Sequence, residues 1–182
     1  LFLVIGFIIF DNNKIVSTIT LDINPSIEIN LTRNEKVKSV VALNEDAKEI
    51  VNGNLKGKSI DDTLKQITDN LIEKGYVAEE NFLEIILYSE GDISNKELET
   101  KLKETLEKKK IDSNITTIKK VSKEDEELAK KYDVSPAKIS YIKSIIKDNE
   151  NINIEDLSNK SVSELNETKA TGKYCDKGYT LE

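Results

Sequence analysis

The sequence predicts an α+β fold: N-terminal strands and a hairpin in a mixed sheet, helices packed on one face, then a C-terminal helical segment. Three observations lead there. Apolar residues alternate with polar ones from Ile15 to Leu31, the period of a half-buried strand. Two amphipathic helical patterns then alternate with two strand-like runs. The last third of the chain carries only helical spacing and helix-start signals.

In the first segment Ile19, Leu21, Ile23, Ile27, Ile29 and Leu31 occupy odd positions, and Thr18, Thr20, Asp22, Asn24, Ser26, Glu28 and Asn30 occupy even ones. The alternation runs through Asn24-Pro25, although proline donates no ladder hydrogen bond and belongs at an edge, a bulge or a turn. A kink in one strand and a turn between two both fit the pattern. Thr32 to Glu35 is a polar connection, and a further strand begins at Val37, so this part reads as a hairpin. Asn44 to Lys58 reads as a loop containing Gly53 and Gly57.

Ser59 with Asp62 three residues on predicts a helix start, Ile60, Leu64, Ile67 and Leu71 form its stripe, and Gly75 ends it. Phe82 to Tyr88 is a short apolar run that suits a central strand. Ser94 or Asn95 caps a second helix with Leu98, Leu102 and Leu106 on one face, and Lys108 to Lys110 suit its C-terminal end. Ile111 to Val121 returns as a strand. Ser122 with Asp125 starts an acidic helix ending near Tyr132, and Pro136 sits in the first turn of the next. Ile139, Ile142, Ile145 and Ile146 face the core there; Ile152, Ile154 and Leu157 lead to Ser161 with Glu164, a last helix start. The expected organisation is 1–10 as the end of a truncated transmembrane helix, 15–121 as the α+β domain, 122–168 as a helical subdomain and 169–182 as a tail.

Composition excludes several functions. Among 182 residues the net charge is −7 and Arg33 is the sole arginine, which argues against nucleic acid. Histidine is absent, so Ser-His and Cys-His nucleophile pairs and histidine metal sites are excluded. Cys175 is alone, which excludes an internal disulfide and a thiolate cluster. No cofactor or metal site is expected. The opening stretch LFLVIGFIIF is apolar and uncharged but falls short of the about 20 residues a membrane span needs. It reads either as a buried first strand or as the outer end of a transmembrane helix, with Asp11 to Lys14 as the polar exit.

The stretch SxxxLDINPSIEI from Ser17, followed by NEKVKSVVALNEDAKEIV, GKSIDDTLKQITDNLIEKGY, YDVSPAKISYIKSII and DLSNKSVSELN, resembles the extracytoplasmic domain of the RsgI-type anti-sigma-I factors of Gram-positive bacteria. The resemblance covers about Ile15 to Glu167. It implies one transmembrane helix before this domain, a cytoplasmic segment that binds a sigma-I-type factor, and self-cleavage of the Asn24–Pro25 bond. The implied partners are the chain's own N-terminal fragment held non-covalently, the sigma factor, the membrane and an intramembrane protease.

The chemistry of Asn-Pro supports cleavage independently. In most Asn-X pairs the following backbone nitrogen attacks the side-chain carbonyl, but Pro25 has no N–H to give up. The opposite attack stays open: the Asn24 side-chain nitrogen closes on the Asn24 backbone carbonyl, forms a succinimide and expels the Pro25 nitrogen. A half-life near an hour requires a barrier of about 23 kcal/mol. Orientation of the amide and twisting of the scissile bond both lower it. If the segment is extended, Asp22 and Ser26 share the even face with Asn24 and are the candidate helpers in proton transfer; in the bland reading Asp22 is a solvated strand residue. The competing functional readings are an uncleaved membrane-anchored sensor and a scaffold that binds a basic partner through its acidic helices.

Overall fold

The computed structural model describes residues 14–77, 82–147 and 152–171. The apolar opening stretch and Cys175 lie outside the described residues. Five strands form one mixed sheet: β1 (Ile15–Asp22), β2 (Ser26–Thr32), β3 (Val37–Ala42), β4 (Phe82–Gly91) and β5 (Asp112–Thr117), in the order β3-β2-β1-β4-β5. β1 pairs antiparallel with both β2 and β4, and β4 pairs parallel with β5 through a helical crossover.

The expected alternation from Ile15 to Leu31 is two strands and a tight turn. β1 and β2 pair with Asp22 opposite Ser26, Leu21 opposite Ile27 and Ile19 opposite Ile29. Ile23, Asn24 and Pro25 form the connection. Odd residues therefore face odd residues across the hairpin, and the parity survives the proline because the register preserves it. Pro25 sits in the turn, where no ladder donor is required.

The odd face of the sheet buries Ile19, Leu21, Ile23, Ile27, Ile29, Leu31, Leu83, Ile85 and Leu87. Two long helices cover it. α2 (Ile60–Glu73) contributes Ile60, Leu64, Ile67 and Leu71, and α3 (Asn95–Lys108) contributes Leu98, Leu102 and Leu106. Ser59 and Ser94 cap them, each hydroxyl accepting an N–H three residues on. The expected loop from Asn44 to Lys58 also contains a single short helix, α1 (Ala47–Ile50), whose Ala47 and Ile50 join the same core.

The C-terminal helical segment lies on the opposite face. It consists of α4 (Lys123–Tyr132), α5 (Pro136–Lys147), α6 (Ile154–Ser158) and α7 (Val162–Thr171). Ile86 of β4 packs there with Ala137, Tyr141, Ile142, Ile145, Leu157, Val162 and Leu165. Ser122 opens α4 with the expected reciprocal capping box, and Ser161 and Glu164 exchange the same bonds at the start of α7. No helix of the described residues is long and apolar enough to cross a membrane.

Helix α2 provides a direct check on the core assignment. Leu64 is fully buried and Ile72 is 43% exposed on the same helix. Leu64→Ala is expected to lower stability by about 2–5 kcal/mol, and Ile72→Ala to stay within about 0.5 kcal/mol of the parent. Urea denaturation of both variants measures the difference.

Candidate functional site

Asn24 is at the tip of the β1–β2 turn with a φ of 71°, in the left-handed region. Asparagine tolerates that region better than other non-glycine residues. A following proline further restricts the residue before it. Such a conformation costs on the order of 1–3 kcal/mol and persists only where its surroundings hold it. Here the surroundings do so on the proline side. The Ile23 N–H donates to the Pro25 carbonyl at 2.8 Å, across the turn. The Ser26 N–H donates to Asn44 Oδ1 at 3.1 Å, and the Ser26 carbonyl accepts from the Leu43 N–H at 2.9 Å. Asn44 Oδ1 also accepts from the Ala47 N–H at 3.1 Å, so its own orientation is fixed. Pro25 is buried and Asn24 is exposed. The two halves of the Asn24–Pro25 bond thus differ: one is anchored, and the other carries a side chain open to solvent.

Asn24 also lines an open cleft of about 510 Å³, together with Ile23, Tyr76, Phe82, Leu83 and Glu84. Among the described residues no group of side chains gathers that would hold a metal ion.

The two expected helpers are not beside Asn24 on a common extended face. The turn lifts Asn24 outward and leaves Asp22 and Ser26 opposite one another as the last pair of the ladder. Asp22 is not a solvated strand residue either; it is 1% exposed. The residues that meet it come from the start of α5. Ser135, just before that helix, donates its hydroxyl to Asp22 Oδ2, and the same Ser135 oxygen accepts from the Lys138 N–H at 2.9 Å. Asp22 Oδ1 is buried with no hydrogen-bond partner among the described residues. Burial pushes the Asp22 carboxyl above its ordinary value of 3.8, while the Ser135 and Ser26 hydroxyls and the charge of Lys138 pull it part of the way back. Burial likewise pushes the Lys138 amine down, against the carboxylates of Asp22 and Glu164. Both groups are therefore drawn toward their neutral forms. Thr20, by contrast, is a buried strand residue opposite Glu28 and Tyr88.

Further along the polar face of the hairpin, Thr18, Asn30 and Glu28 bond to one another. Thr18 Oγ1 donates to Asn30 Oδ1 at 2.8 Å, and Asn30 Nδ2 donates to Glu28 Oε1 at 2.7 Å. Sequence reasoning missed Asn44, Ser135 and Lys138. The Ser-Pro pair at 135 and 136 signals a helix start, but nothing local says that the capping hydroxyl also reaches Asp22.

Comparison with known proteins places this geometry in context. The family model described as "Anti-sigma factor RsgI-like central domain" matches residues 16–144. The chain is 33% identical over 155 residues to anti-sigma-I factor RsgI of Bacillus subtilis, covering 79% of this chain and 38% of that protein. It is 26% identical over 169 residues to anti-sigma-I factor RsgI7 of Acetivibrio thermocellus, covering 90% of this chain and 31% of that protein. A further similar protein, RsgI6 of the same organism, is 26% identical over 166 residues, 84% of this chain and 22% of that protein. The chain thus spans about two fifths or less of the length of these relatives.

The position of Asp22 has a measurable consequence. Its folded-state pKa is raised, so the unfolded chain ionises first as pH increases. Stability from this residue is full below the ordinary value of 3.8 and is lost as pH climbs to the raised folded value. Asp22→Asn keeps an acceptor for Ser135 and removes the titration. The stability of D22N relative to wild type is expected to grow with pH across that window and then level off. Thermal melts over a pH series read this, and parallel curves for the two proteins would contradict it.

Proposed function

The chain belongs to the RsgI family of anti-sigma-I factors, and on that premise we propose that it is the extracytoplasmic domain of a membrane-anchored anti-sigma factor that cuts its own backbone at Asn24–Pro25. The observation that carries this reading is the turn itself: an exposed asparagine with a left-handed backbone, joined to a buried proline whose neighbours are pinned. In the reaction Asn24 Nδ2 attacks the Asn24 carbonyl carbon and gives up a proton. The bond to the Pro25 nitrogen breaks, and that nitrogen takes a proton. No water is consumed until the succinimide opens. Turn strain and a fixed leaving group bring the amide and the carbonyl toward attack geometry. Asp22, whose carboxyl burial draws toward its neutral form, serves in this reading as the proton donor, and Ser26, its ladder partner and the residue bonded to Pro25, as the relay.

Cleavage leaves β1 as a separate chain that stays in the sheet. Ile19 and Leu21 of the strand, and Ile23 just after it, remain buried in the core with side chains of β2 and β4. The segment before Ile15 leads to the membrane and to the sigma-I-binding part of the whole protein. A signal or pull from outside that strips β1 from the domain frees the membrane-bound stub for an intramembrane protease, and the sigma factor is released.

Asn24→Ala is expected to remain a single chain on denaturing electrophoresis, while the parent yields a new chain that starts Pro-Ser-Ile-Glu. Asp22→Asn is expected to slow cleavage by about 100-fold, the usual worth of a positioned proton donor. Pro25→Ala restores the backbone N–H and should divert Asn24 into deamidation. An N24A protein that still splits at this bond would rule out the side-chain mechanism.

A further inference from the structure

The N-terminal end of β1 carries a second construction that the cleavage chemistry does not use. Ser17 opens the SxxxLDINPSIEI stretch, seven positions before Asn24. It is 3% exposed. Its hydroxyl oxygen accepts two backbone N–H groups from the loop between β4 and α3: Asp92 at 2.9 Å and Ile93 at 3.1 Å. Beside it the strand is bulged. Ile15 pairs with Thr32 and Ser17 with Leu31, so Val16 is the extra residue. The Val16 carbonyl turns to the same loop and accepts from the Asp92 N–H at 3.2 Å.

The loop is shaped to receive this end of the strand. Gly91, opposite Ser17, has a φ of 108°, and a Cβ built there would lie 1.9 Å from the Val16 oxygen and 2.7 Å from Ser17 Cα. No side chain fits; only glycine permits the approach. Ile93, whose N–H bonds to Ser17, is itself buried in the main core. Removal of the Ser17 hydroxyl therefore leaves a buried N–H without its acceptor.

We propose that Ser17, clasped by the Gly91–Ile93 loop, is the residue that sets how readily β1 leaves the sheet. This rests on the cleavage reading, because only a severed β1 can leave. Tension from the residues before Ile15 enters β1 at this end. Past the terminal Ile15–Thr32 pair, the clasp is the first side-chain hydrogen bond it loads, at the level where β1 begins to pair with β4 and ahead of the Thr18–Asn30 bond and the Asp22–Ser135 bond. A closed clasp makes the load spread along the strand; an open one lets the strand peel residue by residue. The clasp is thus a release threshold separate from the cutting machinery at the other end of the strand.

The experiment uses the self-cleaved full chain, held by its first residues and by its C-terminus, with the lifetime of the fragment pair read at constant force. Ser17→Ala is expected to be cleaved to the wild-type extent and to release its N-terminal fragment about tenfold sooner, as loss of one buried acceptor for two donors implies. Gly91→Ala keeps the hydroxyl but pushes the loop off Val16, and should shorten the lifetime as well. Both substitutions are also placed in the uncleavable N24A chain, where circular dichroism and thermal melts report whether the fold is kept. Folded, cleaved S17A that releases at the wild-type rate overturns the proposal, and so does wild-type release by folded G91A. A parent chain that never splits overturns the cleavage reading and this one with it; normal splitting with unchanged release overturns this one alone.

Discussion

β1 has hydrogen-bonded neighbours on both sides, β2 and β4, and buried side chains on both of its faces. The strand sits in the middle of the sheet although it is the first in sequence. On the odd face Ile19 and Leu21 contact the core under α2 and α3. On the even face Asp22 meets the start of α5. Each buried aliphatic side chain is worth roughly 1.5–3 kcal/mol, so Ile19 and Leu21, with Ile23 just past the strand and two ladders, hold a short strand firmly without a covalent link. A terminal strand on a sheet edge would have half the ladder and one exposed flank. Central placement would let a cut in the following turn leave the fold intact.

The same placement explains the polar cost on the even face. The β1–β2 hairpin carries Thr18, Thr20, Asp22, Ser26, Glu28 and Asn30 on that side, and the C-terminal helices cover part of it. Thr18 and Asn30 satisfy one another. Asp22 is only half satisfied: one oxygen accepts from Ser135 and the other has no partner among the described residues. A buried carboxylate with half its hydrogen bonds unmade is destabilising when ionised. Under the proposed self-cleavage, its position at the base of the turn, opposite Ser26, would give that destabilisation a use, since a carboxyl drawn toward its neutral form is a proton donor at pH values where an exposed one is not. Stability and chemistry pull in opposite directions at this residue.

Much of the fold was legible in the sequence because its signals are local. Ser59, Ser94, Ser122 and Ser161 announce their helices within three residues, and Leu98, Leu102 and Leu106 define a stripe within three turns. The turn at Asn24 was ambiguous for an equally physical reason. A hairpin whose register pairs odd residues with odd ones reproduces the alternation of one continuous strand. The short helix at Ala47 hid in a segment rich in turn residues. The burial of Asp22 was not legible at all. Alternation assigns it to the outer face, and the residue that covers it, Ser135, lies 113 positions away. Nothing within a local window encodes such a contact. For the same reason the site was half visible: Asn24 and Pro25 from their chemistry, Ser26 and Asp22 from proximity in sequence, and Asn44, Ser135 and Lys138 only from the fold.

On the proposed reading the turn opens its own backbone while the central strand stays zipped between its neighbours. Mass measured on one sample of freshly folded protein, first under native spray conditions and then after denaturation, tests it most directly. Self-cleavage predicts a single native species with the mass of the whole chain, or of the chain plus one water once the succinimide has opened, and two polypeptides on denaturation that meet at Asn24 and Pro25. One unbroken polypeptide under both conditions, or two fragments already apart in the native spectrum, would contradict it.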